Sequence, residues 1–175
     1  MKVLSFKKIS STNEKAKELA REKIKSWTVI LAKKQTKGHG KSKSFWFSPE
    51  GGLYFSIILP KSTIEDLQTL TILAAFAVAK TIKERFSLEP TIKLPNDVLL
   101  GQKKVAGILT ENVVGKNVKL SVMGIGLNTN IKKFPQELKD IATSLNIELG
   151  KRVNNRRILK QIVQEIKNQL KIISD

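Results

Sequence analysis

The stretch Val98–Leu127, VLLGQKKVAGILTENVVGKNVKLSVMGIGL, decides the fold class. Two glycine-bearing turns divide it into three runs. Gly101-Gln102-Lys103 parts Val98–Leu100 from Val105–Val114, and Gly115-Lys116-Asn117 parts that run from Val118–Leu127. Aliphatic and β-branched runs joined by such short turns read as antiparallel ribbons. Helical patterns flank them on both sides. The expectation is an α+β domain with a mixed, mostly antiparallel sheet packed by helices.

Working outward, Arg156–Ile173 places Ile158, Leu159, Ile162, Val163, Ile166 and Leu170 on one face, with Asn154 or Asn155 as N-cap. Upstream, Leu67, Leu70, Ala74, Ala77, Val78 and Ile82 form another apolar stripe at a 3.6-residue period. A short strand is expected after Pro90, then a break at Pro95-Asn96-Asp97. Leu53–Leu59 reads as a buried strand that stops at Pro60. Nearer the start, Val3–Ile9 and Trp27–Ala32 read as strands. Ser11-Thr12-Asn13-Glu14 forms a capping box for a helix running to about Lys25. A long loop should span Lys33–Pro49.

The 175 residues suit one domain, and 41% hydrophobic content can fill a core. The chain has no cysteine and one histidine. This composition excludes a thiolate nucleophile, a disulfide scaffold, a Cys-ligated zinc or iron–sulfur site and a multi-histidine metal cluster. The first residues lack a signal-peptide pattern, and no apolar run approaches the ~20 residues of a membrane span. A cytoplasmic protein with no membrane contact is expected. The formal net charge of +17 calls for an anionic partner, without saying whether that is nucleic acid, nucleotide or acidic protein.

Nine of the ten glycines lie between Gly38 and Gly126, which places the functional region in the middle of the chain. The densest basic segment is Lys33-Lys34-Gln35-Thr36-Lys37-Gly38-His39-Gly40-Lys41-Ser42-Lys43. Backbone N–H groups alternating with lysines can cradle a phosphate, although the spacing is not that of a Walker loop. The same segment is equally readable as a solvated basic loop. Trp46, between Phe45 and Phe47, reads as a core anchor.

Further on come Lys93-Leu94-Pro95-Asn96-Asp97, Lys104-Val105-Ala106-Gly107-Ile108-Leu109 and Gly124-Ile125-Gly126-Leu127-Asn128. Each is an ordinary turn or strand fragment by itself. Joined in order with Ser11-Thr12-Asn13, Gln35-Thr36-Lys37-Gly38-His39-Gly40-Lys41, Trp46-Phe47-Ser48-Pro49 and Gly52-Leu53-Tyr54-Phe55-Ser56, they resemble the motif set of the biotin–protein ligases. The likeness runs from about residue 3 to the C-terminus. It implies a catalytic domain related to class II aminoacyl-tRNA synthetases and lipoate ligases. It also implies a two-step reaction in which biotin and ATP, with Mg2+, give biotinyl-AMP, and the biotinyl group then passes to a lysine of the acidic biotin carboxyl carrier domain of acetyl-CoA carboxylase.

Position by position, the resemblance assigns biotin's ureido ring to Ser11, Thr12 and Gln35, with Asn13 beside them. It gives the cover over biotin and adenylate to Gly38, His39, Gly40 and Lys41. Lys104 is implied to touch the biotin carboxylate and the α-phosphate, with Gly107 close by. Asp97 and Lys41 join Lys104 as catalytic candidates, and Asn96, Asn128 and Trp46 fall in the adenylate site. No metal ligand is assigned. Plain alternatives stand beside these roles: Ser11 as a helix cap, Asp97 as a turn stabiliser, Lys104 as a ribbon-surface lysine.

The chemistry suits a chain without cysteine. A carboxylate is already ionised at neutral pH, so attack on phosphorus requires two anions held together more than it requires a base. The sequence departs from the resemblance where Gly38-His39-Gly40-Lys41 replaces a Gly-Arg-Gly-Arg loop, exchanging planar bidentate donors for a lysine and a weakly charged imidazole. Leu94 replaces a tryptophan. Residues 1–175 are read as the catalytic domain, with neither a helix-turn-helix before it nor a β-barrel domain after it. A lipoate or octanoate ligase is the alternative on the same fold, and a basic nucleic-acid-binding module is the alternative from another class. DNA binding is disfavoured because the basic cluster is a glycine loop rather than a recognition helix. A homodimer is compatible with the sequence.

Overall fold

The computed structural model describes residues 2–22, 24–60, 66–115 and 118–174. Seven strands form one sheet: β1 (Lys2–Phe6), β2 (Thr28–Ala32), β3 (Leu53–Ile58), β4 (Pro90–Lys93), β5 (Asp97–Leu100), β6 (Lys103–Gly115) and β7 (Val118–Leu127). Their spatial order is β1-β2-β3-β7-β6-β5-β4. Only β1 and β2 run parallel, joined by the crossover helix α1 (Thr12–Arg21); every other neighbouring pair is antiparallel. The ribbon that decides the fold class therefore runs from the central strand, β7, out to β5 beside the edge strand β4. Of the turn expected at Gly115-Lys116-Asn117, the last two residues lie outside the described ones.

Side-chain alternation divides the work of the sheet. One face carries Val29, Phe55, Ile57, Met123, Ile125, Ile108 and Val98, all buried against α2 (Leu67–Phe86). The full apolar stripe of α4 (Asn155–Ser174) is buried in the same cluster, against α2. Each fully buried Ile or Phe contributes about 1.5–3 kcal/mol. On the opposite face, α1 covers one end, packing Ala16, Leu19 and Ala20 on Ile30, Ile58, Val113 and Val122. The rest of that face stays open.

Several boundaries differ from expectation for local reasons. The first helix stops at Arg21 rather than Lys25. Ile24 N–H turns back to the Leu19 carbonyl, and Trp27, at φ 62°, hands its N–H to Ile58 of β3. The first strand stops at Phe6, and Ile9 keeps only a single bridge to Gln35. The two asparagines before α4 divide the labour. Asn154 Oδ1 accepts from Arg157 N–H at 3.1 Å as the cap, while Asn155 donates to the Gly51 and Gly52 carbonyls. A short helix, α3 (Leu145–Leu149), escaped the sequence reading. Ser144 caps it by accepting from Ile147 N–H, and Gly150 ends it at φ 66°.

Candidate functional site

The open sheet face bears glycines where its neighbours bear bulk. Across β3, β7, β6 and β5, one row reads Tyr54, Gly126, Gly107, Asp97, and the next reads Ser56, Gly124, Leu109. This floor is low because it must be. A Cβ at Gly124 would collide with Asn13 Oδ1, and one at Gly126 with the Trp46 indole. Above the floor lies a cleft of about 410 Å³.

Its first end is uncharged and rich in hydrogen-bonding groups. Ser11, Thr12 and Asn13, each 4% exposed, enter from the start of α1. Ser11 Oγ accepts from Glu14 N–H, so the capping role is real, and Ser11 lines the cleft as well. Thr12 N–H donates to Gln35 Oε1 at 2.7 Å, and Gln35 Nε2 donates to Ser48 Oγ at 3.0 Å. Ser56 Oγ–H donates to Asn13 Oδ1 at 2.6 Å and lies 2.8 Å from the Thr12 hydroxyl. Asn13 Nδ2 donates in turn to Leu109 O and Glu111 Oε2. These groups are fixed by one another before any ligand arrives.

The second end carries charge. Lys104 Nζ lies 2.7 Å from Asp97 Oδ1 and 5.1 Å above the Trp46 ring. Asn96 Nδ2 donates to the same Asp97 oxygen at 2.8 Å. A β-bulge aims the lysine. Val98 pairs with Ala106 and Leu99 with Lys104, so Val105 is the extra residue; Val105 and Ala106 both sink into the core. That slip turns Lys104 to the cleft face, where strict alternation would have pointed it the other way. Its backbone is clamped too, donating to Ile141 O and accepting from Thr143 N–H. Two buried polar atoms beside the cleft, Trp46 Nε1 and Asn128 Oδ1, have no hydrogen-bond partner among the described residues. Such orphans are rare unless a ligand or water completes them.

The third wall is the basic segment, which is a small hairpin. Trp46 N–H donates to Gly38 O, His39 bridges Phe45, and Gly40 N–H donates to Ser44 O, with a 3-10 turn at Lys41–Lys43. His39, Gly40, Lys41 and Trp46 line the cleft. Gly38 does not; it faces Ser48 and Gln35, where a Cβ would lie 2.6 Å from Ser48 Oγ. Of the residues singled out from sequence, all the others meet in this one cleft, including Asn96, Asp97, Lys104, Gly107 and Asn128. Trp46 is half-buried against Gly126 and in the cleft wall rather than in the core.

Sequence reasoning missed the segment after β7, whose Phe134, Leu138, Ile141 and Ala142 form an apolar wall. Only its phenylalanine and proline hinted at order, because it is placed by the backbone pairing to Lys104. It also missed a polar cluster behind the hairpin. There Lys17 Nζ lies 2.6 Å from Glu14 Oε1 and 3.0 Å from Glu111 Oε1. Burial raises the Glu111 carboxyl, but hydrogen bonds from Asn13 and Lys17 outweigh it and hold the group below the usual glutamate range.

Residues 5–128 match the family model described as the biotin/lipoate A/B protein ligase family. The chain is 40% identical over 160 residues to the bifunctional ligase/repressor BirA of Bacillus subtilis, covering 89% of this chain and 49% of that protein. It is 34% identical over 122 residues to a biotin–[acetyl-CoA-carboxylase] ligase of Paracoccus denitrificans, covering 67% of this chain and 50% of that one. The chain thus spans about half the length of the curated relatives it matches. Among solved structures, a biotin protein ligase from Aquifex aeolicus in complex with biotin and ATP superposes with a TM-score of 0.90 at 34% identity, covering 99% of this chain and 72% of that one. With the model match, the relatives and the superposed fold in agreement, the chain belongs to the biotin/lipoate A/B protein ligase family.

Proposed function

We propose that this chain carries the catalytic site of an ATP-dependent biotin–protein ligase, forming biotinyl-AMP and passing biotin to an acceptor lysine. One observation carries the reading: a single cleft joins a neutral hydrogen-bonding end to a lysine-bearing end across a floor of glycines. The ureido ring, with two donors and a carbonyl, suits the polar groups of Ser11, Thr12, Asn13 and Gln35; a dithiolane ring offers neither an N–H donor nor a carbonyl to match them. The valerate chain lies over Gly124, Gly126 and Leu109, with its carboxylate toward Lys104. Adenosine takes the apolar side of Trp46 and the Phe134–Ala142 wall. There the orphaned Asn128 Oδ1 accepts one donor, Trp46 Nε1 gives one hydrogen bond, and Asn96 adds a polar edge.

In the first step a carboxylate oxygen attacks the α-phosphorus, and pyrophosphate leaves. The Lys104 ammonium, steered by Asp97, attracts both anions, while Lys41 and Gly40 close on the phosphates from the hairpin. This is charge stabilisation and positioning, with no base needed. Mg2+ would come with the triphosphate and neutralise its charge. Asp97 is the one carboxylate lining the cleft among the described residues, and so the oxygen ligand available to it. In the second step a neutral acceptor amine attacks the acyl carbon, the acyl–phosphate C–O bond breaks, AMP departs with the bonding pair, and the amine's proton passes to solvent. Lys104 then holds the leaving phosphate.

The net charge of +17 would steer ATP and an acidic carrier domain, such as that of acetyl-CoA carboxylase, toward the cleft. ATP dependence fits a cytoplasmic setting, and no helix among the described residues is long and apolar enough to cross a membrane. Incubation with biotin, Mg-ATP and pyrophosphatase should yield biotinyl-AMP by mass spectrometry, whereas lipoate should yield no adenylate. Lipoyl-AMP formed in preference would replace this reading with the lipoate alternative.

A further inference from the structure

Behind the hairpin, one row along the same sheet face from Leu109 and Gly124, Glu14 of α1, His39 of the hairpin and Glu111 of β6 bring their ligand atoms within 4.8 Å of one another. His39 Nε2 lies 3.8 Å from Glu14 Oε1 and 4.0 Å from Glu111 Oε2. We propose that these three side chains form a divalent transition-metal site, best suited to Zn2+, that pins the hairpin to α1 and β6. The proposal does not depend on which substrate the cleft takes.

Three features support it beyond proximity. His39 Nδ1 lies 3.3 Å from Lys37 O, and a carbonyl can only accept, so the neutral ring carries its proton on Nδ1. The Nε2 lone pair therefore faces the carboxylates, the arrangement in which a backbone carbonyl orients a ligating histidine. The size is close as well. Tetrahedral Zn2+ with bonds near 2.0–2.2 Å spaces its ligands about 3.4 Å apart, so the two separations from His39 Nε2 need to shrink by roughly half an ångström, and the carboxylate oxygens already lie within 4.8 Å of one another. Finally, the ligands come from three elements and are pre-oriented. Glu111 Oε2 accepts from Asn13 Nδ2, while Lys17 bridges the carboxylates through Glu14 Oε1 and Glu111 Oε1.

Lys17 is the metal's competitor. Its monovalent ammonium neutralises the two carboxylates, and a divalent ion that also bonds the imidazole would displace it. Zinc would then brace the hairpin in the conformation in which His39, Gly40 and Lys41 line the cleft.

The test uses tag-free protein, treated with chelator and titrated with ZnCl2 alone by calorimetry. With one histidine and no cysteine in the chain, no other imidazole or thiolate confuses the result. One equivalent should bind. Glu14→Gln and His39→Ala should each weaken it at least about tenfold, and Lys17→Met should tighten it. Zinc at ten times its Kd should also slow tryptic cleavage at Lys41 about elevenfold, if the protease takes only the metal-free open hairpin. Circular dichroism checks that each variant is folded; if Lys17→Met fails to fold, Glu14→Gln decides. Absence of one-to-one binding overturns the site, as does binding that folded Glu14→Gln and His39→Ala leave unchanged. Binding that folded Lys17→Met does not tighten overturns it equally.

Discussion

Gly126→Ala adds one carbon at the point where floor and tryptophan meet. Its φ lies outside the left-handed region, so the backbone itself tolerates alanine. The new Cβ would stand 2.6 Å from Trp46 Cε2 and 3.0 Å from Cζ2, with Nε1 nearer still. Relaxed carbon contacts lie at 3.5–4.0 Å, so the indole must lift by about 1 Å. Overpacking of this kind costs about 1–3 kcal/mol in stability, or about 2–4 °C in Tm for each kcal/mol at this chain length. The larger effect falls on the reaction. Trp46 carries the Lys104 ammonium on its face, so both walls of the charged end shift, and misplacement by 1 Å can cost about a hundredfold in rate. Pyrophosphate release with biotin and Mg-ATP, measured beside a thermal melt, separates the two effects. A folded Gly126→Ala that forms adenylate at the parent rate refutes the proposed fit of ring, floor and ligand.

Three further outcomes follow from the same geometry. Lys104→Ala should lower adenylate formation about 10²–10³-fold without unfolding the protein, as loss of one preorganised charge does at other anion-stabilising sites; single-turnover assays would read this. Replacing His39 and Lys41 together with arginine should slow biotinyl-AMP dissociation, because a planar fork grips phosphate at two points; a filter-binding chase measures the rate, and no slowing defeats the idea. The Glu111 carboxyl titrates low in the folded chain, so its stabilisation is present above the ordinary glutamate range and fades as pH falls through the depressed value. With chelator present, Glu111→Gln should therefore melt below the parent at neutral pH, and the gap should close in acid.

The ribbon from Val98 to Leu127 was legible because glycine turns and aliphatic runs are local signals, and so were the faces of α2 and α4. Lys104 was legible by motif but not by pattern. Period-two counting sends it into the core with Ala106, and only the slip at Val105 turns it toward the cleft. The Phe134–Ala142 wall stayed hidden because its place comes from pairing with Lys104, a contact no periodicity encodes. Glu14 read only as the capping-box glutamate and Glu111 had no assigned role, because nothing local links two carboxylates so far apart in the chain that share one lysine. The glycines at 124 and 126 announced a close approach without saying to what. The approaching groups are Asn13 and Trp46, each brought in from a distant loop or helix start.

The central claim is that Lys104, across a glycine floor from the hairpin, draws a carboxylate and a phosphate into contact. A crystal structure with a non-hydrolysable biotinyl-adenylate analogue measures it directly. Lys104 Nζ should lie within hydrogen-bonding distance of both the acyl–phosphate linkage and Asp97, with the ureido group on Ser11, Thr12 and Gln35, and Asn128 Oδ1 newly paired. An analogue bound elsewhere, or a Lys104 ammonium turned to solvent with the ligand in the cleft, would contradict it.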